Sequence, residues 1–430
     1  MQNTLVLRRS LARGHALTTL ALSACGCILA VACGGSSSSS TQGDRVGTSS
    51  DAGTFDSGAT NPDDSGAVIT ADDSGNTPGD DGGTAAPAPD AAVPGPNGGY
   101  PAGWLYTVGN KIMVSTGSTG TQWMGRGVNM DDIFMCGYNN TLYVTDPDTE
   151  QETEVAGLIK DWKPNFVRYS LSMDSFMAVS WLSDPAQYKT PVTNVVEALG
   201  KNAGVYVLLT LRSDASMILG APGNTEPTGI PSDAQTTPDA MKYPTGTDAV
   251  YVALVDAFAH SNFVVFGLTN EPGGNARSDA TIAAAMDHAV GTIRAEEDKL
   301  GVPHHLVSVQ GNGYSSEFKF YTATPAPITH DNVVYELHYY PSAGGGTSSQ
   351  YQYSTTLPMI VGEYGDFSTQ APQSGFYADM ESKMIPNLAW DFDPMSGCAP
   401  DLLKVTHDES MLQPTTWGSS VQAYLTAHAK

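Results

Sequence analysis

Short apolar runs rich in β-branched and aromatic residues recur along the chain, at Met124–Met130, Phe166–Leu171, Val205–Leu211, Phe263–Thr269, His305–Val309, Val333–His338, Met359–Gly362 and Leu388–Asp391. Such runs predict strands buried on both faces. Between them apolar residues recur at helical spacing, most clearly at Val155–Trp162, Val192–Leu199, Ala249–His260, Ala280–Leu300, Phe376–Met384 and Val421–His428. Eight strands alternating with helices over about 330 residues predict an α/β fold, the (β/α)8 TIM barrel. Ahead of the first barrel strand, Leu105–Gly117 alternates around a Gly109-Asn110 turn and predicts a β-hairpin. The folded domain is therefore expected over 100–430. Its longest irregular stretch, Arg212–Thr247, follows the third strand and is expected to shape one wall of a cleft.

The pattern is different before residue 100. Residues 34–99 carry ten Asp with many Gly and Ser and almost no large apolar side chain. They cannot bury enough surface to offset their ordering entropy, so a disordered acidic tether is expected. The recurring Asp-Asp-Ser-Gly at Asp63 and Asp72 matches no calcium loop. Residues 1–33 read as an export signal, with Arg8, Arg9 and Arg13 ahead of an apolar stretch from Ala16 to Ala32. The segment resembles a bacterial lipoprotein signal. Cys25, in Leu22-Ser-Ala-Cys25, and Cys33, where the apolar run gives way to Gly and Ser, compete for the lipid, with Cys33 preferred; a plain signal peptide is the alternative. Localisation is expected to be exported, at the cell surface or extracellular, with membrane contact only through that anchor.

The net charge of −25 argues against nucleic acid or an anionic membrane surface as a partner and is compatible with an uncharged polymer. Cys136 and Cys398 lie after the first and last barrel strands, which are neighbours in a closed barrel, so a bridge between them is permissible. No CxxC or HExxH run points to a metal, and no Gly-x-Ser-x-Gly elbow points to a serine hydrolase.

Two strands end in a glutamate. One runs into Thr269-Asn270-Glu271-Pro272-Gly273-Gly274, and the other is Met359-Ile-Val-Gly-Glu363-Tyr-Gly365. In parallel barrels the carboxyl ends of strands carry the chemistry. A carboxyl pair is what glycoside cleavage needs: one protonates the leaving oxygen, and the other attacks the sugar carbon or activates water. The glutamates are 92 residues apart (363 − 271), which suits a fourth and a seventh strand.

Through these motifs, residues 103–430 resemble glycoside hydrolase family 5, of the retaining (β/α)8 clan. The resemblance implies that Glu271 is the acid/base and Glu363 the nucleophile of a double displacement. It implies that the hairpin plugs the bottom of the barrel. Arg168, on the second strand, must pair with an anion if buried, and Glu363 is the natural partner. Asn270 can hydrogen-bond a sugar 2-hydroxyl. His338 and Tyr340, in Glu336-Leu-His-Tyr-Tyr340, resemble the family's His-x-Tyr pair, and Trp390, in Leu388-Ala-Trp-Asp391, its aromatic sugar platform. The family's third-strand His is absent: Arg212 stands there in Thr210-Leu-Arg212, and Asp214 is a weak substitute.

The implied activity is endo-acting hydrolysis of a β-1,4-linked polysaccharide by a monomer without cofactor or metal. A β-glucan is the first substrate choice and a β-mannan the second. The rival is a surface-tethered carbohydrate-binding barrel without catalysis, which would be expected to have lost one glutamate.

Overall fold

The computed structural model describes residues 99–132, 147–172, 189–212, 246–272, 278–341, 350–365, 375–393, 400–404 and 412–429. All of them fall in the compact unit Gly83–Lys430. The export signal, the tether up to residue 98, Cys136, Cys398, Asp214 and nearly all of the Arg212–Thr247 stretch lie outside the described residues.

Three short strands come first, β1 (Leu105–Val108), β2 (Lys111–Ser115) and β3 (Gly120–Gln122), paired antiparallel in that order. The expected hairpin is thus the first half of a three-stranded sheet. Eight strands follow: β4 (Arg126–Asp131), β5 (Phe166–Ser172), β6 (Tyr206–Arg212), β7 (Val264–Gly267), β8 (Val307–Gln310), β9 (Val333–Tyr339), β10 (Met359–Tyr364) and β11 (Asn387–Ala389). They pair in parallel, each with the next, and β11 returns to β4 to close the barrel. Helices α1 (Pro147–Gly157), α2 (Lys189–Glu197), α3 (Gly246–Phe258), α4 (Asp279–Leu300), α5 (Phe376–Lys383) and α6 (Thr416–Ala427) flank them. The fold is the (β/α)8 TIM barrel.

The barrel strands are mostly apolar on the outer face, toward the helices, with Arg126 and Asn387 as polar exceptions, but the inner face changes character along its length. At the amino ends, Phe166, Leu208, Val265, Leu306, Val334, Ile360 and Leu388 form one apolar cluster with Leu105 and Ile112 of the first sheet and with Trp123. This closes the bottom of the barrel, as the family resemblance implies for the hairpin. Two residues further on, strand periodicity brings Asn129, Arg168, Thr210, Ser308 and Glu336 to the same inner face, all fully buried. A polar layer thus sits on an apolar floor, and the next inner positions form the carboxyl-end mouth.

Two departures from regular pairing matter for that mouth. The register between β10 and both neighbours shifts between Val361 and Glu363 or Tyr364, which is a β-bulge at Gly362-Glu363. The bulge breaks the two-residue alternation, so Gly362 and Glu363 both face inward. At the other departure, β7 stops at Gly267, and Glu271 adopts a left-handed φ of 48°.

Gly127 on β4 shows how tightly the barrel closes. A Cβ built there would lie 1.5 Å from the backbone oxygen of Phe166. Gly127→Ala is expected to lower thermal stability by roughly 3 kcal/mol, or some 5–10 °C in Tm, because backbone cannot yield as a side chain can. A melt within about 2 °C of wild type would contradict this close approach.

Candidate active site

The carboxyl-end mouth gathers residues from five strands around one guanidinium. Arg168 is completely buried in the middle of β5, rather than at its tip. Its Nη1 donates to Glu363 Oε1 at 2.8 Å and to Asn129 Oδ1 at 3.0 Å, and its Nη2 donates to Asn270 Oδ1 at 2.7 Å. Its Nε lies 2.7 Å from Glu336 Oε1. The planar fork therefore addresses two carboxylates and two amides at once, which an ammonium could not do. Asn129 is itself anchored by its Nδ2 on the carbonyls of Gly362, Leu388 and Ala389.

The second oxygen of Glu363 accepts from Tyr340 Oη at 2.9 Å. Burial, then the charges of Glu363 and Glu271, push the Tyr340 phenol well above its usual range, so it stays a neutral donor. Glu271 reaches the site from the strained turn after β7. Its left-handed backbone costs a non-glycine residue about 1–2 kcal/mol, and its N–H is held by Gln310 Oε1 at 2.6 Å.

His338 joins the two glutamates. Its Nδ1 lies 2.8 Å from Glu271 Oε1 and 3.4 Å from Glu363 Oε2, and its Nε2 lies 3.2 Å from Glu336 Oε1. Burial opposes a charge on the ring, but Glu363, Glu271 and Glu336 outweigh it and raise the imidazole to about 9. Burial likewise opposes charge on Glu336, yet Arg168, His338 and Ser308 hold that carboxyl down to about 2. The Ser308 hydroxyl donates to Glu336 Oε2 at 2.5 Å.

The His338 shift has a consequence for stability. The folded value lies above the unfolded one of roughly 6.5, so the ring's pairing stabilises the fold fully below that pH and is lost as pH rises through about 9. The effect is on the order of 3 kcal/mol. His304, raised by Asp331 and Asp298 despite its burial, adds to the same slope. Thermal melts across this window are expected to fall less steeply in His338→Asn than in wild type; equal slopes would contradict the shift.

One donor atom each from Glu271, His338 and Glu363 lies within 4.8 Å of the others, close enough to surround a cation. The same atoms are engaged with one another, His338 Nδ1 against Glu271 and Nε2 against Glu336. One oxygen of Glu271 and one of Glu363 thus approach to within 4.8 Å, so the two carboxyl groups face one small space.

Trp390, just beyond β11, is 4% exposed. The Arg212 guanidinium lies 4.9 Å from the centre of its ring, and Nη1 of Arg212 lies 3.8 Å from Asp131 Oδ1. The arginine that replaces the family's histidine thus stacks on the expected sugar platform. Beside it, burial and the charges of Asp131 and Asp393 push Asp391 well above the usual carboxylate range.

All seven residues predicted from sequence, Glu271, Glu363, Arg168, Asn270, His338, Tyr340 and Trp390, lie at this mouth. Sequence reasoning missed Glu336, Ser308, Gln310 and Asn129. Glu336 did carry a signal, being a charged residue inside an apolar strand two positions from His338 and so on the same face. The other three are neutral polar residues within strands and carry none.

A family model described as cellulase (glycosyl hydrolase family 5) matches residues 125–396. Among solved structures, a cellulase, Cel5C_n, aligns with a TM-score of 0.55 at 17% identity, over 76% of this chain and 93% of its own. The catalytic domain of Thermobifida fusca endoglucanase Cel5A gives 0.52 at 17% identity, over 75% of this chain and 97% of that one. A β-mannanase from Streptomyces thermolilacinus, solved with mannohexaose, gives 0.51 at 19% identity, over 76% and 96% respectively. At these identities the likeness to solved structures is one of fold. A comparison with curated proteins gives no match.

Proposed function

This chain belongs to glycosyl hydrolase family 5, and on that premise we propose that it is a retaining, endo-acting hydrolase of β-1,4-linked polysaccharide. The observation that carries this reading is the carboxylate pair, Glu271 and Glu363, with oxygens within 4.8 Å and a different partner set on each. In the first step Glu271 gives its proton to the leaving glycosidic oxygen while Glu363 attacks the anomeric carbon, forming a glycosyl-enzyme. In the second, Glu271 takes a proton from water, which displaces Glu363 with net retention.

Arg168 and Tyr340 orient the nucleophile, since both donate to its carboxylate. Asn270 has its oxygen committed to Arg168, which leaves its amide N–H groups for a sugar 2-hydroxyl. Trp390 is the proposed stacking platform for a pyranose ring, and sugar reaches its face once the Arg212 guanidinium, 4.9 Å from the ring centre, moves aside. A β-glucan is the first substrate choice. A β-mannan is the second, and one of the similar structures is a mannanase.

The same reading has the chain exported and acting as a monomer. Residues 1–33 serve as its signal, and Cys25 or Cys33 is the point of lipid attachment. Residues 34–99 serve as a tether and 100–430 as the catalytic domain. Support for the export part is the Arg-led apolar segment followed by an acidic, Gly- and Ser-rich stretch.

Reducing-sugar release by the full chain tests the activity. The panel is carboxymethylcellulose, mixed-linkage glucan, galactomannan, glucomannan and xylan, with Glu363→Ala alongside. Release from a glucan that vanishes in the variant is the expected result. Binding to a polymer without cleavage of any would favour a non-catalytic barrel.

A further inference from the structure

The sequence motifs give no part to Glu336, yet it is a fully buried carboxylate of the site, in β9. Its Oε1 faces both Arg168 Nε, at 2.7 Å, and His338 Nε2, at 3.2 Å, and its Oε2 accepts from Ser308. The neighbouring strand leaves space for it: a Cβ on Gly362 would lie 2.2 Å from Glu336 Oε1. The glycine that precedes the nucleophile is therefore the one that makes room for this carboxylate. A counter-ion for Arg168 alone would need no contact with the histidine, and Glu363 already pairs with Arg168.

We infer that Glu336 is a positioning residue for the acid/base Glu271, acting through His338 by holding the ring as a donor between the two carboxylates. The inference rests on the family reading of Glu271. The charged or titratable groups around His338 are Glu336 and Tyr340 from its own strand and the segment after it, Glu271 after β7, Glu363 from β10 and Arg168 from β5. Glu336 is the one of the three carboxylates that takes no part in bond making. During glycosylation Glu271 gives its proton to the leaving oxygen and becomes a carboxylate, while Glu363 becomes a neutral ester. Negative charge thus moves from Glu363 to Glu271, and His338 Nδ1–H lies where it can follow, 2.8 Å from one and 3.4 Å from the other. Glu336 stays ionised throughout and keeps that proton on the ring.

Glu336→Gln tests this, because the amide fills the same space and can still bond the ring but carries no charge. In the full chain labelled with 15N-histidine, His338→Asn identifies the His338 resonance. The wild-type ring is expected to stay protonated well above neutral pH, and the midpoint in Glu336→Gln to fall by at least about one pH unit. Two substrates then separate roles: carboxymethylcellulose, whose leaving sugar needs a proton, and 2,4-dinitrophenyl β-cellobioside, whose phenolate does not. In Glu336→Gln, kcat/KM for the polymer is expected to fall at least about tenfold further than for the aryl glycoside. An unmoved midpoint, or equal losses on both substrates, overturns the role of Glu336 while leaving the enzyme reading intact. If the wild-type chain cuts mannan instead, galactomannan and 2,4-dinitrophenyl β-mannobioside replace the pair; a wild-type chain that cleaves no polymer of the panel overturns the hydrolase reading, and the role of Glu336 with it. If Glu336→Gln does not fold, Glu336→Asp withdraws the carboxylate from the ring and is held to the same two readouts, with smaller shifts in the same direction.

Discussion

Glu363→Ala is expected to lower polysaccharide hydrolysis by on the order of 10⁴-fold or more while leaving the barrel folded. Among the described residues, Glu363 is the carboxylate that combines an Arg168 donor, a Tyr340 donor and a bulge that turns it into the mouth. Without it the glycosyl-enzyme cannot form, and the remaining groups can only bind sugar and polarise the leaving oxygen. Arg168 keeps Glu336 as its partner, so the loss is chemical rather than structural. The vacated space beside the guanidinium suits a small anion. Added azide is expected to restore turnover of an activated aryl glycoside and to give the α-glycosyl azide, by attack from the face that Glu363 occupied. Glu271→Ala is expected to behave differently, with polymer hydrolysis lost but the first step retained on an aryl glycoside that needs no proton. A Glu363→Ala enzyme that still cuts polymer, or azide products of the opposite configuration, would remove the nucleophile assignment.

Arg168→Met is expected to cost about 3–5 kcal/mol of stability, seen as a Tm roughly 10 °C lower, together with the activity. The variant leaves Glu336 and Glu363 on adjacent strands, 0% and 5% exposed, without the guanidinium that both address. It also frees Asn270, whose oxygen accepts from Nη2. Arg168→Lys is expected to recover little, since one ammonium cannot reach four acceptors in a plane. The double variant Arg168→Met/Glu336→Leu removes one of the two stranded charges and is expected to regain part of the stability but none of the activity. Melts of the three variants check this, and additive losses would contradict the coupling.

The barrel was legible because parallel strands buried on both faces read as unbroken apolar runs. Val264–Gly267 and Val333–Tyr339 are buried at every position. Strand ends were less legible. Pairing of β7 stops at Gly267, two residues before the apolar run ends at Thr269, because the chain turns there to place Asn270 and Glu271. The last helix starts at Thr416 rather than Val421. It is capped by the Thr415 hydroxyl on the Gly418 N–H, and Gly and Ser in its first turn hide the helical period.

The two glutamates were legible because each lies at the end of an apolar run, with Pro272 or Gly365 close behind. How Glu363 comes to face inward was not, since it depends on a bulge between Val361 and Tyr364 that only pairing on both sides reveals. Arg168 read as the partner of Glu363 alone. That Glu336 shares it required knowing that two inward positions on β5 and β9 meet across the barrel. Arg212 read as a missing histidine, and its stacking on Trp390 follows from the closure of β11 onto β4, which no local pattern records.

The most direct measurement of the central claim is the configuration of the first-formed sugar product. Hydrolysis of a soluble β-glucan followed by proton NMR from the first turnover is expected to show the β-anomer of the new reducing end, before mutarotation adds the α-anomer. That order is what double displacement at Glu363 with Glu271 as acid/base produces. The α-anomer appearing first would mean a single displacement by water, and would contradict the assignment of Glu363 as nucleophile.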